Sequence, residues 1–240
     1  MLIRLKSAFL GPRLQLLLKS ALFGATLIIL KLGDFSVVSF LLFAAVSGFL
    51  CLKIKALPVI TLVPIAASTV WILDSWLFLM PAIILYTLLL YIIIGIEELI
   101  IVHRREWGTV AALLQLYSIF LLFFLVDKSE NFLLKYAFTV VGSFLVIHEI
   151  IRHAENQFPK RQMLAALVLS FITGQFLWGI ALLPIGMINA ASLMTLITFL
   201  GADMTSAHFQ GLAKQRIIVR QFGIIISILL LVLVATEWHF

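Results

Sequence analysis

The sequence predicts an all-α fold: a polytopic bundle of transmembrane helices, N-terminus in and C-terminus out, with about nine spans and a range of about seven to nine. Three observations predict it. Of the 240 residues, 63% are apolar and only 12% charged, against about 45–50% and about 25% in soluble domains. The mean hydropathy is +1.19. The apolar residues come in continuous runs rather than in the alternation of barrel strands. The cations between the runs fall on alternate sides of the implied membrane. Such a composition excludes a soluble enzyme, a disordered chain and a secreted disulfide scaffold.

A hydrocarbon core of about 30 Å takes roughly 17–25 helical residues to cross. The runs at 14–30, 36–52, 56–73, 76–96, 109–126, 132–151, 163–183, 186–202 and 217–236 meet or approach that length. The first is short and contains Lys19, whose aliphatic stem reaches the inner interface by snorkelling. The eighth carries Asn189, Ser192, Thr195 and Thr198, and the tight turn Leu183-Pro184-Ile185-Gly186 joins it to the seventh. These two are the weakest, and without them about seven spans remain. An A-x-A-like cleavage site does not follow the first run, so it reads as an uncleaved span. Connections are short, which makes residues 1–240 one integral membrane domain without a soluble domain.

Charge tests this division independently. With the N-terminus inside, the inner segments hold Arg4, Lys6, Arg13 and Lys19, then Lys53 and Lys55, then Arg104 and Arg105. The last two hold Arg152, Lys160 and Arg161, then Lys214, Arg216 and Arg220. Of the 17 cations, only Lys31, Lys128 and Lys135 fall outside, in the company of Asp34, Asp74, Asp127, Glu130 and Glu237. A wrong helix count would scramble the alternation downstream of the error. Trp71, Trp76, Trp107 and Trp238 stand at the ends of runs, as interfacial rings do; Trp178 does not.

The net charge of +6 is therefore a topology signal, and no basic stripe with interleaved aromatics points to nucleic acid. The implied partner is the lipid bilayer, and the location the cytoplasmic membrane of a bacterium. Cys51 is the sole cysteine, so neither an internal disulfide nor a CxxC site is available. Small residues four apart, Ala44/Gly48 and Ser170/Gly174, suit close helix packing.

Ionisable groups beside hydrocarbon are costly and mark candidate sites. Glu97 and Glu98 close the fourth run: wet if the helix stops near Ile96, embedded if it continues to Val102, and balanced by Arg104 and Arg105 about one or two turns on. His148-Glu149-Ile150-Ile151-Arg152-His153 closes the sixth. Its histidines are five apart, about 140° around a helix, so they do not form the HExxH zinc pair, which needs i and i+4. Pairing of Glu149 with Arg152 and His153, and of His148 with Arg152, fits better. Asp203 and His208 follow the eighth run and read as a solvated loop. Because runs four, six and eight end on one side, Glu97, Glu98, His148, Asp203 and His208 form the candidate constellation for acid–base or metal chemistry. Gln115, Tyr117, Gln175 and Asn189 are the mid-membrane polar groups. No charge stands near a bilayer centre, which disfavours an ion-coupled pump.

Glu97-Glu98, Phe144-x-x-x-His148 and His208 resemble the three motifs of the CAAX-processing intramembrane protease family. Val102 stands where that pattern has arginine, and Leu212 where it has an Asn-like residue. The resemblance implies a hydrolase in which Glu97 or Glu98 activates water, while His148 and His208 stabilise the oxyanion or bind metal. From about Met80 onward the chain is similar to an uncharacterised family of bacterial multi-pass membrane proteins. The resemblance rests on Glu97–Val126, Trp178-Gly-Ile-Ala-Leu-Leu-Pro184, His208-Phe-Gln-Gly211, the basic lead-in to the last run and Trp238. It implies no activity. The leading expectation is a membrane protein with a structural or assembly role and no evident cofactor. The alternatives are the cytoplasmic-face hydrolase and a small-solute transporter using the runs interrupted by Pro58, Pro64, Pro81 and Pro184.

Overall fold

A computed structural model describes residues 11–54, 57–98, 104–126, 132–152, 159–211 and 223. These residues are helical, without strands. The helices are α1 (Pro12–Leu32), α2 (Val37–Ile54), α3 (Leu57–Ile72), α4 (Trp76–Glu97), α5 (Arg104–Leu125), α6 (Phe132–Arg152), α7 (Pro159–Ala181) and α8 (Met187–Phe209). They correspond in order to the first eight expected runs. The ninth, 217–236, lies outside the described residues apart from Gly223.

Among the described residues six helices are long and apolar enough to cross a membrane: α1, α4, α5, α6, α7 and α8. The first and eighth runs are thus not the weak ones. The shorter apolar helices are α2 and α3, and the 16 residues of α3 rise only ~24 Å. Three boundaries differ from expectation. α5 starts at Arg104, where Glu106 in its first turn suits the positive end of the helix dipole. α7 starts at Pro159, whose fixed φ and missing N–H fit a helix N-terminus. α8 runs on to Phe209, because Thr205 and Ser206 return their hydroxyls to the Gly201 and Ala202 carbonyls at 2.8 Å instead of breaking the helix. Asp203 and His208 therefore lie on helix, not in a loop.

The chain divides into two compact units, Met1–Ala111 and Ala112–Phe240, with the boundary inside α5. In the first unit α1 packs against α2, α3 and α4. Its buried residues Leu16, Ser20, Phe23, Leu27 and Leu30 recur every three or four positions, one face of a helix. Its outward residues Leu14, Leu17, Leu18, Leu22 and Ile29 are apolar as well. Where α1 crosses α4, a β-carbon on Gly24 would lie 2.5 Å from Thr87 Oγ1, so only glycine permits the approach. α3 and α4 are joined by a buried hydrogen bond of 2.7 Å between the Thr69 and Tyr86 hydroxyls. Thr69 also donates to the Ile65 carbonyl at 2.8 Å, which leaves Tyr86 as the donor in their shared bond.

In the second unit α6, α7 and α8 pack on one another. A cluster of Ile147 and Ile151 from α6, Ala166 from α7 and Ala202 from α8 is sealed by Phe144, Leu169 and Phe209. It places the ends of α6 and α8 beside the start of α7. The α6–α7 crossing uses Gly174, whose added β-carbon would meet Tyr136 Oη at 2.5 Å and Val140 Cγ2 at 3.1 Å. Ser170 is buried one turn before it, so this small-residue pair does serve packing. Among the described residues Ala44/Gly48 does not: Ala44 is exposed and none of them lies within 4 Å of a β-carbon on Gly48. Lys135 ties α6 to the end of α5. Its ammonium lies 4.9 Å from the Phe123 ring centre and donates to the Val126 carbonyl at 3.2 Å, which uses both cation–π attraction and a terminal helix carbonyl.

Candidate functional site

Glu97 and Glu98 of the expected constellation belong to the first unit, and His148, Asp203 and His208 to the second. Glu97 is the last residue of α4 and Glu98 its C-terminal cap, with the Glu98 amide donating to the Ile94 carbonyl at 2.8 Å. Both are exposed. Of the two alternatives for this helix end, the structure shows the shorter helix, closing at Glu97 just past Ile96. Glu98 does not look to its own helix for a counter-charge. It pairs with Lys19 of α1. The side chains of Arg104 and Arg105, its expected partners, are outside the described residues.

Lys31, ~18 Å along α1 from Lys19 at 1.5 Å per residue, pairs with Asp74 before α4 at 3.0 Å. α1 is thus fastened to the α3–α4 side at both ends. Each pair joins residues that the charge reading places on the same side. Beside the second pair, Asp34 and Phe35 turn the chain through φ values of 44° and 53°, and the Phe35 ring lies 6.4 Å from Trp71.

In the second unit His148 is half-buried on α6, its ring 6.1 Å from Phe144. Glu149 is buried and accepts a hydrogen bond of 2.8 Å from Arg152 one turn on, as its spacing predicts; His153 lies outside the described residues. His208 is exposed near the end of α8, edge-on to Phe209 at 6.2 Å. The two histidines therefore flank the same apolar cluster, in which the neighbours of each, Ile147 and Phe209, take part. Asp203 is half-buried on the same helix as His208. Among the described residues no three His, Cys, Asp or Glu side chains are grouped so as to hold a metal ion. Of the mid-membrane polar groups, Gln115 is buried, whereas Gln175 and Asn189 are exposed, on the outside of the unit.

Among the contacts with no counterpart in the expectations are the Lys19 partnership of Glu98 and the Thr69–Tyr86 bond. The first had a signal. Lys19 is the one cation of its apolar run, which marks it as wanting a partner or a path to water, although nothing in its spacing pointed to Glu98. The second had none, because hydroxyl residues are common on buried helix faces. Comparison of the chain with known protein families, characterised proteins and solved structures finds no match.

Proposed function

We propose that this chain is a nine-span integral protein of a bacterial cytoplasmic membrane, N-terminus inside and C-terminus outside, with a structural or assembly role rather than a turnover. One observation carries the membrane reading: over residues 162–176 α7 turns small and hydroxyl side chains inward and most of its large apolar ones outward. Its buried face holds Gln162, Ala166, Ser170 and Thr173, while Leu164, Leu167, Val168, Phe171 and Phe176 are exposed. In water that exchange would cost several times the ~1.5–3 kcal/mol per side chain that apolar burial normally returns. In lipid it costs nothing, since hydrocarbon outside is as apolar as leucine and helix contacts favour small and hydroxyl residues. The nine-span count joins the eight helices to the apolar run 217–236, and the orientation follows from the cations.

The non-catalytic role is supported by what the acids do. Glu98 ties α4 to α1, and Glu149 is held by Arg152. The threading is tested with reporter fusions after Lys55, Asp127 and Phe240, which should report inside, outside and outside. Any other pattern breaks the nine-span arrangement.

A further inference from the structure

A groove of about 340 Å³ runs between α7 and α8, lined by Arg161, Leu164, Ala165, Val168, Leu169, Ile172 and Thr205. Its volume falls within the ~300–1,000 Å³ of small-molecule sites. Its chemistry is ordered along the helix. Arg161 stands at one end, in the first turn of α7, and Thr205 on α8 is the other polar lining group. Everything beyond is hydrocarbon. From Arg161 to Ile172 the helix rises ~16 Å at 1.5 Å per residue. One leaflet of a ~30 Å hydrocarbon core is ~15 Å deep. Leu164, Val168 and Ile172 form an i, i+4, i+8 ridge and stay 66%, 49% and 39% exposed, so the groove opens sideways rather than toward water.

We propose that this groove binds an anionic phospholipid, with the phosphate at Arg161 and one acyl chain along Leu164, Val168 and Ile172. The occupant follows from three matches: one lining cation at the end of a span, an apolar trough one leaflet long, and an opening toward lipid. A peptide would leave its backbone groups unsatisfied in that trough. A free phosphate would have no use for it. A guanidinium carries five N–H donors, enough to serve a protein acceptor and a phosphate together. Asp203, two residues from Thr205 on α8, is not among the residues that line the groove. Gly201 sets the groove's width: a β-carbon there would meet Leu169 Cδ1 at 2.9 Å and press that side chain into the trough.

The inference rests on α7 being a membrane span. The test is native mass spectrometry of the purified full chain. It is titrated with phosphatidylglycerol and, separately, with phosphatidylcholine of identical acyl chains. Phosphatidylglycerol should be retained about five-fold more strongly, the worth of one cation near an anionic headgroup. Arg161→Gln should abolish the preference and the neighbouring Lys160→Gln should keep most of it. Gly201→Ala and Ala165→Phe should weaken retention of both lipids by narrowing the trough. Circular dichroism on each variant confirms that the helices persist, and Arg161→Lys, which keeps the charge, should recover part of the preference. Equal retention of both lipids, an unaffected Arg161→Gln, or displacement by glycerol phosphate as readily as by lipid would overturn the proposal. If the span reading itself were wrong, the chain would stay in solution after carbonate washing of cell membranes, an outcome separate from any of these.

Discussion

Lys19 and Glu98 meet across α1 and α4, 79 residues apart in the chain. Lys19 lies ~9 Å along the helix from Arg13, inside the stretch of α1 long and apolar enough to cross a membrane. A lone ammonium there would have to reach water along its stem. The carboxylate at the end of α4 meets it instead, and the pair keeps 23% and 34% of its side-chain surfaces exposed.

Reversal of either charge should therefore be worse than reversal of both. Lys19→Glu and Glu98→Lys should each lower stability, and the double variant should recover it. The coupling in a double-mutant cycle should be about 0.5–1 kcal/mol for a half-wet pair. Unfolding in mixed micelles measures it. Zero coupling would mean that the contact contributes nothing.

Two buried threonines should respond in opposite ways to loss of their hydroxyls. Thr69→Val removes the partner of Tyr86 and should cost about 0.6–2 kcal/mol. Thr198, 1% exposed, has a hydroxyl without a hydrogen-bond partner among the described residues. Thr198→Val should be neutral or stabilising, because it removes an unsatisfied group without changing shape. Midpoints of thermal unfolding in detergent compare the two.

The glycines divide in the same manner. Gly174→Val should cost about 1–3 kcal/mol by overpacking, since Tyr136, stacked on Phe132 at 6.1 Å, has little room to retreat. Gly48→Ala should gain about 0.5–1 kcal/mol as a helix-interior glycine is lost. Similar stabilities for the two variants would contradict the assigned crossings.

A structural role also makes a negative prediction about chemistry. Purified protein in bicelles, offered membrane-embedded prenylated peptides, should show no cleavage that Glu97→Ala or His148→Ala removes. Cleavage lost in either variant, with helix content unchanged, would restore the hydrolase reading.

The helices were legible in the sequence because lipid asks for one thing, an unbroken apolar run, and the chain supplies it eight times over the described residues. Their ends were less legible. Composition at Thr205 and Ser206 reads as loop, yet hydroxyls that return to their own helix carbonyls let α8 continue to Phe209. Glu149 with Arg152 was readable because its partner is one turn away. Glu98 with Lys19 was not, since local spacing favoured the arginines that follow and a partner on another helix carries no spacing signal. Ala44/Gly48 shows the converse: the right residues at the right interval, on a face that no described helix covers.

The two ends of α1 complete their contacts at different moments of synthesis. Asp74 emerges 43 residues after Lys31, and Glu98 79 residues after Lys19. At ~5–20 residues per second, the second wait is roughly twice the first and lasts about 4–16 s. For those seconds the inserted first helix carries a bare ammonium near the membrane surface. It is thus held at one end before the other, and its final tilt is decided only when the fourth helix arrives.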